Sequence, residues 1–262
     1  LGALAVAFLS ISIAHPCRSQ TSASNQKFVV VLDAAHGGDD GGGQVGASGG
    51  GTGIAEKTIT LALSVRLRSL LTARGFTVAT TREGNVNVTA DARAQTANHG
   101  TAATNGNSAC LSLHASASGS GVHIFVSSLA PGAPARFLPW KTAQSAYIDR
   151  SLRLAGTVNS ALEHTSVAGG GSLNATEPGT VGTGTGPIPA TLGRATLPGV
   201  DSMTCPAVAI EMAPIRGADR KVVTDVTDPG YQTQLVEALA AAMLEWKTDL
   251  ETDSPRAGGS QP

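Results

Sequence analysis

Three short apolar runs in this chain stop in the same way. VVVLDAAH (residues 29–36), CLSLH (110–114) and AVAIE (207–211) each end on one side chain able to bind a metal or move a proton, namely His36, His114 and Glu211. Continuous apolar runs of this length mark strands covered on both faces, the situation of a parallel sheet inside an α/β protein. In an open α/β sheet, ligands bind outside the carboxyl ends of the strands. The three terminal residues are therefore expected to meet at one edge of one sheet.

The segments between the runs supply the helices. Across 56–74, Ile59, Ala62, Leu63, Leu67, Leu70 and Leu71 recur at helical spacing, and Gly75 is placed to end the helix. A strand is expected at 76–82, a shorter helix at 89–98, a strand at 122–128, and helices at 147–162 and 231–250. The expected fold class is α/β, a single domain with a mostly parallel twisted central sheet flanked by helices and a metal site at the carboxyl ends of the strands. At 262 residues, 41% of them hydrophobic, the chain accommodates one real core, and two would be cramped.

The catalytic domain is expected at 27–250. Before it, LGALAVAFLSISIA is uncharged and apolar, the length of a signal-peptide core and too short to span a bilayer, and HPCRSQTSASNQ reads as a processed lead. Residues 1–26 are accordingly expected to be a signal peptide and disordered lead, and 251–262 a disordered tail. This predicts export to the periplasm or cell-wall space, with no stable membrane span in the mature form. His15 and Pro16 match a lipoprotein cleavage box poorly, which argues against a lipid on Cys17. Within the domain, 165–193 turns to Gly, Thr, Ser and Pro and is expected to be a flexible insertion, because it offers little apolar surface to bury.

Composition excludes some partners. A formal net charge of −1 with two Trp, two Tyr and five Phe gives neither an electrostatic footprint nor a stacking platform for nucleic acid. Cys110 and Cys205 are either bridged, as an oxidising compartment allows, or two buried thiols. No CxxC spacing exists on which to build a structural zinc site from cysteine.

The chemistry then turns on four residues, because Glu56 stands where the glycine-rich loop after His36 returns to open the first long helix. Two imidazoles and a carboxylate suit a catalytic Zn2+ with an open position, and the remaining carboxylate is free to act as base. Each has a plainer role when taken singly: a strand-end histidine as a satisfied surface or core residue, Glu56 as a first-turn acid favoured by the helix dipole. Glu211 resists that reading, since a carboxylate following PAVAI is costly to bury without a partner.

Rival motifs are weaker. GASGG (46–50) has the G-x-S-x-G pattern, but the short glycine-rich GGGQV precedes it where a nucleophile elbow needs a core strand. GTGIAEKT (51–58) approaches a phosphate loop but puts Glu56 where that loop needs glycine. His15, His99, His123 and His164 lack a strand-end setting and read as solvated or structural.

Taken together, VVLDAAHGG, EKTITLALSVRLRSLLTARGFTVATTRE, ADARAQTAN, LSLHAS and PAVAIE resemble, in order, the motifs of the zinc-dependent N-acetylmuramoyl-L-alanine amidases of bacterial cell walls, the amidase type 3 family. The resemblance runs from about residue 27 to 245. It implies that His36, Glu56 and His114 are zinc ligands and Glu211 the catalytic glutamate, in hydrolysis of the amide between N-acetylmuramic acid and the first L-alanine of the stem peptide. It implies peptidoglycan as substrate, an activator protein as a partner, a monomer, and Arg194 as a holder of a substrate carboxylate. The chain departs from the family where Ala34 and Ala35 replace the usual Pro-Gly, and where Met212, Ala213 and Pro214 replace a small or glycine-rich continuation. The long glycine-rich loop between His36 and Glu56 favours a loose site. The alternative is a degenerate, inactive relative that binds peptidoglycan or a divisome partner; a zinc peptidase acting on the stem peptide is a third reading.

Overall fold

The computed structural model describes residues 27–46, 53–132, 140–168 and 185–253. The expected signal peptide and lead, residues 169–184 of the expected insertion, and 254–262 of the expected tail lie outside the described residues.

Six strands form the central sheet: β1 Val29–Ala34, β2 Thr77–Thr80, β3 Ser108–Ala115, β4 Val122–Ser127, β5 Ala190–Ala195 and β6 Ala207–Met212. Their order is β2-β1-β3-β6-β4-β5. The first four in that order are mutually parallel. β4 then runs antiparallel to β6, and β5 lies parallel to β4 at the edge. The three apolar runs are thus the three adjacent central strands, as their two-sided burial requires.

The helices are α1 Glu56–Ala73, α2 Ala90–Thr101, α3 Ile148–Glu163, α4 Pro198–Asp201 and α5 Pro229–Asp253. α1 and α3 lie on one face of the sheet, with α5 packed across both. Their buried Leu63, Leu67, Leu71, Leu154, Leu162 and Trp246 join Val30, Leu32, Leu111, Leu113, Val208 and Ile210 in one core. Each such side chain contributes about 1.5–3 kcal/mol of burial. Trp246 also donates its indole N–H to the Ser108 carbonyl at 3.1 Å, tying α5 to the start of β3. The opposite face carries a smaller core under α2 and α4, built from Val29, Val31, Ala94, Ala97, Val200 and Met203 around a Cys110–Cys205 disulfide. Of the two states left open for these cysteines, the bridged one is present.

Helix ends follow the sequence signals. Gly75 takes φ +82° and its N–H reaches the Thr72 carbonyl while that of Phe76 reaches Leu71, closing α1 and turning the chain into β2. Thr89 accepts the Ala92 N–H at 3.2 Å and caps α2.

Two expectations are corrected. The insertion expected at 165–193 is not wholly flexible, because Ser166–Ala168 pairs with Thr185–Pro187 and the stretch from Ala190 continues into the edge strand β5. An edge strand draws its hold from backbone hydrogen bonds, so Thr and Gly suffice once Ile188, 1% exposed, anchors the entry. Of the tail expected from 251, residues 251–253 belong instead to α5, which continues to Asp253, whose carboxylate pairs with Arg153 at 2.7 Å.

Candidate metal centre

The carboxyl ends of β1 and β3 and the first residue of α1 converge. His36 follows β1, His114 is the penultimate residue of β3, and Glu56 opens α1; one ligand atom from each lies within 4.8 Å of the others. His36 Nε2 is 3.1 Å from Glu56 Oε2, and His114 Nδ1 is 3.3 Å from Glu56 Oε1. Glu56 also accepts the backbone N–H groups of Gly43 at 3.0 Å and Ala115 at 3.1 Å. Burial works to raise the Glu56 carboxyl, but the hydrogen bond from His114, those from the two amides and the charge of His36 outweigh it and hold the pKa below its ordinary value.

Among the described residues, the part of the loop nearest His36, residues 37–43, is tied by backbone hydrogen bonds. His36 itself sits at φ +61°, a left-handed backbone unusual for a non-glycine residue. Gly37 and Asp40 exchange backbone hydrogen bonds, Glu56 N–H reaches the Gly43 carbonyl, and Lys57 N–H reaches Gly41. Gly42 lies so close that a Cβ there would stand 2.6 Å from the His36 ring and 2.7 Å from the Glu56 carboxylate. Glycine at that position therefore permits a tight site.

Two buried arginines hold this end of β1 from behind. Arg93 of α2 donates to Asp33 Oδ1 at 2.7 Å and to the carbonyls of Ala34, His36 and Val88. Arg82 donates to the carbonyls of Ala34, Ala35, Lys57 and Gly84. Around the ligands, Asp40 Oδ2 lies 2.9 Å from His36 Nδ1, and Ser112 Oγ lies 3.3 Å from His114 Nε2. The His36 hydrogen bond, then the Gly42 amide, hold the Asp40 carboxyl below its ordinary pKa. Sequence reasoning passed over Asp40, Asp33, Ser112, Arg82 and Arg93. Asp33 was the available signal, because an acid inside VVVLDAAH must find a cation or hydroxyl when buried.

Glu211 of β6 is the register partner of His114 on β3, so the two side chains share a sheet face. Its carboxylate makes no hydrogen bond or ion pair with a described residue. On its other side the register partner is His123 of β4, a residue the sequence reading set aside, whose Nδ1 lies 2.9 Å from Thr191 Oγ1. Arg194 is not brought to this cluster. It pairs in register with Val126, on the opposite face of the sheet from Glu211, and its guanidinium donates to the carbonyls of Ser127 and Leu129. A cavity of about 340 Å3 opens beside His36 and His114, walled by the N-terminus of α2 and by Leu197, Pro198 and Val200.

An open α/β sheet with two imidazoles and a carboxylate gathered at the carboxyl ends of its parallel strands defines an α/β protein with a candidate metal centre at the usual ligand-binding edge of its sheet. The family comparison is narrower: residues 30–245 match the model of the N-acetylmuramoyl-L-alanine amidase family, Amidase_3, and the chain belongs to that family of peptidoglycan amidases. No curated protein sequence matches it. Among solved structures it is similar to the N-acetylmuramyl-L-alanine amidase Ami1 from Mycobacterium smegmatis, at 22% identity and TM-score 0.56 over 86% of this chain and 100% of that one. It is also similar to the N-acetylmuramoyl-L-alanine amidase from Clostridium difficile 630, at 19% identity and TM-score 0.56 over 87% and 99%. A third, the CwlD amidase from Clostridioides difficile in complex with the GerS lipoprotein, is 17% identical with TM-score 0.56 over 87% and 100%. At these identities the three describe a shared fold.

Proposed function

We propose that the chain is a zinc-dependent amidase, exported to the periplasm or cell-wall space, that hydrolyses the amide between the lactyl group of N-acetylmuramic acid and the first L-alanine of the stem peptide. The observation that carries this is the convergence of His36, Glu56 and His114 within 4.8 Å in a chain of the amidase family. The donor set, two imidazole nitrogens and a carboxylate oxygen, fits zinc in kind. Bound there, zinc supplies a Lewis acid that polarises the amide carbonyl and acidifies water.

The protein's own residues do the rest. Glu56, deprotonated and held by two backbone amides, keeps both histidines turned to one point. Glu211, without a hydrogen-bond or ion-pair partner among the described residues and beside His114, takes a proton from the attacking water on its carboxylate and returns it to the alanine nitrogen as the C–N bond breaks. The cavity between α2 and Leu197–Val200 receives the substrate flank. Arg194 has no part in this proposal, because its guanidinium is engaged with two carbonyls. Export is supported by the disulfide, which persists in oxidising compartments. Among the described residues no helix is long and apolar enough to cross a membrane. An activator protein is proposed as a partner by analogy with the CwlD–GerS complex.

One experiment tests the reading: zinc content and release of stem peptides from purified sacculi, measured for the wild type, His114→Ala and Glu211→Gln. The wild type should hold one zinc and release stem peptides, and His114→Ala should lose both. Glu211→Gln should keep zinc and sacculus binding and slow release by roughly 100-fold or more, the usual worth of a general base. A zinc-loaded wild type that binds sacculi without cleaving them would establish the inactive binder instead. Equal rates for Glu211→Gln and wild type would remove Glu211 as the base.

A further inference from the structure

Two histidines can share one cation only if each turns an unprotonated nitrogen to it, and the neighbours of His36 and His114 decide which nitrogen that is. His36 points Nε2 at Glu56 and Nδ1 at Asp40 Oδ2, 2.9 Å away. An ionised carboxylate only accepts. Glu56 is an acceptor too, so each ring nitrogen of His36 faces a carboxylate; a cation held between Glu56 and Nε2 would take the Nε2 lone pair, and the one proton left on the ring then lies on Nδ1, toward Asp40.

His114 is reversed. Its Nδ1 faces Glu56 and its Nε2 lies 3.3 Å from Ser112 Oγ. A serine hydroxyl has one proton, and Ser112 donates it to Asp33 Oδ2 at 2.7 Å. Asp33 is fixed as the acceptor, since Arg93 and Thr81 each donate to its Oδ1 at 2.7 Å. With its proton engaged, Ser112 can only accept from the imidazole. The chain of donors then runs in one direction, from His114 Nε2–H to Ser112, from Ser112 to Asp33, with Arg93 behind.

We infer that Asp40 and the Ser112–Asp33 pair are positioning residues that make His36 an Nε2 ligand and His114 an Nδ1 ligand of the same cation, an inference that rests on the metal site proposed above. The two arms are built differently. Asp40 is an exposed carboxylate four residues from its histidine, held in the loop by the Gly42 amide at 3.1 Å. Ser112 is buried and relays to an acid that α2 clamps through Arg93. One ligand is thus oriented locally, and the other through the packing of a helix onto its own face of the sheet. Outer partners of this kind usually carry 10- to 100-fold in metal affinity.

The test uses zinc alone. Long-range 1H–15N spectra of the zinc-loaded wild type should show His36 protonated on Nδ1 and His114 protonated on Nε2, a signature that a merely structural role for the neighbours would not set. Competition with a chelator should give Asp40→Ala and Ser112→Ala each a 10- to 100-fold weaker zinc affinity, while Asp40→Glu, which keeps the acceptor, recovers part of the loss. Because Ser112→Ala strands an oxygen of buried Asp33 and can weaken the fold, the tautomers of the wild type stand as the independent readout. A zinc-binding wild type with either tautomer reversed, or with both variants at wild-type affinity, overturns this inference and leaves the amidase reading intact. A wild type without zinc affinity overturns both.

Discussion

Gly42 shows how little room the metal site leaves for an ordinary residue. At φ +66°, with the His36 ring and the Glu56 carboxylate both inside contact distance of a Cβ, it combines a backbone only glycine adopts easily with a close approach of two ligands. Gly42→Ala should cost about 1–2 kcal/mol for the left-handed backbone alone, and should weaken zinc binding further by pushing the two side chains apart. Chelator competition beside a urea melt checks this, and unchanged zinc affinity would show that the loop can move aside. At this scale the sequence was readable where chemistry coincided with a strand end, as at His36, His114 and Glu211. It was opaque where a residue acts through a partner distant in sequence. Ser112 reads as a polar break in CLSLH until Asp33, 79 residues away, is beside it, and His123 gains interest only from an antiparallel register that sets it against Glu211.

Helix α5 illustrates how an element far from the chemistry places it. Asp228 caps its start by accepting the Tyr231 N–H at 2.7 Å, and Tyr231, fully buried, donates its hydroxyl to the Ala213 carbonyl at 3.0 Å, two residues beyond Glu211. Burial raises the Tyr231 pKa well above its ordinary value near 10. Above pH 10 the unfolded chain therefore releases this proton while the native chain keeps it, so the native state binds more protons and stability falls as pH rises. The contribution is fully present below about pH 10 and is lost toward the raised native value. Tyr231→Phe should be less stable than wild type by about 1 kcal/mol at pH 8, the net worth of the hydrogen bond. That gap should close by up to about 1.4 kcal/mol per pH unit above 10. Urea midpoints for both proteins at pH 8, 10 and 11 measure it, and a gap independent of pH would refute a neutral tyrosine there. The helices themselves were legible from periodicity and Gly75, because their burial is one-sided. The edge strand β5 was not, since its Gly and Thr contribute backbone pairing rather than an apolar pattern.

For the molecule as a whole, the Cys110–Cys205 disulfide closes a loop of 95 residues across the smaller core. It joins central strand β3 to the segment between α4 and β6, and α4 together with Leu197 walls the cavity beside the ligands. Sequence alone left its state open, because a bridge depends on Cα atoms brought close by the topology, here 6.2 Å apart. Closing so long a loop removes unfolded-state entropy worth up to about 4–5 kcal/mol, and measured effects usually run at about 2–4. Both cysteines are almost fully buried, so Cys110→Ala with Cys205→Ala adds a small packing loss on the same face. The double variant should therefore melt lower by roughly 6–12 °C, taking about 3 kcal/mol and about 2–4 °C per kcal/mol for a domain of this size. The ligands are carried by β1, α1 and the far end of β3, which the bridge does not touch, so zinc affinity should stay within about threefold of wild type while stability falls. Calorimetry of the zinc-free protein beside chelator competition separates the two effects. A melt at the wild-type temperature would show that the bridge adds nothing to the fold, and a parallel loss of zinc affinity would show that fold and metal site are coupled through the smaller core.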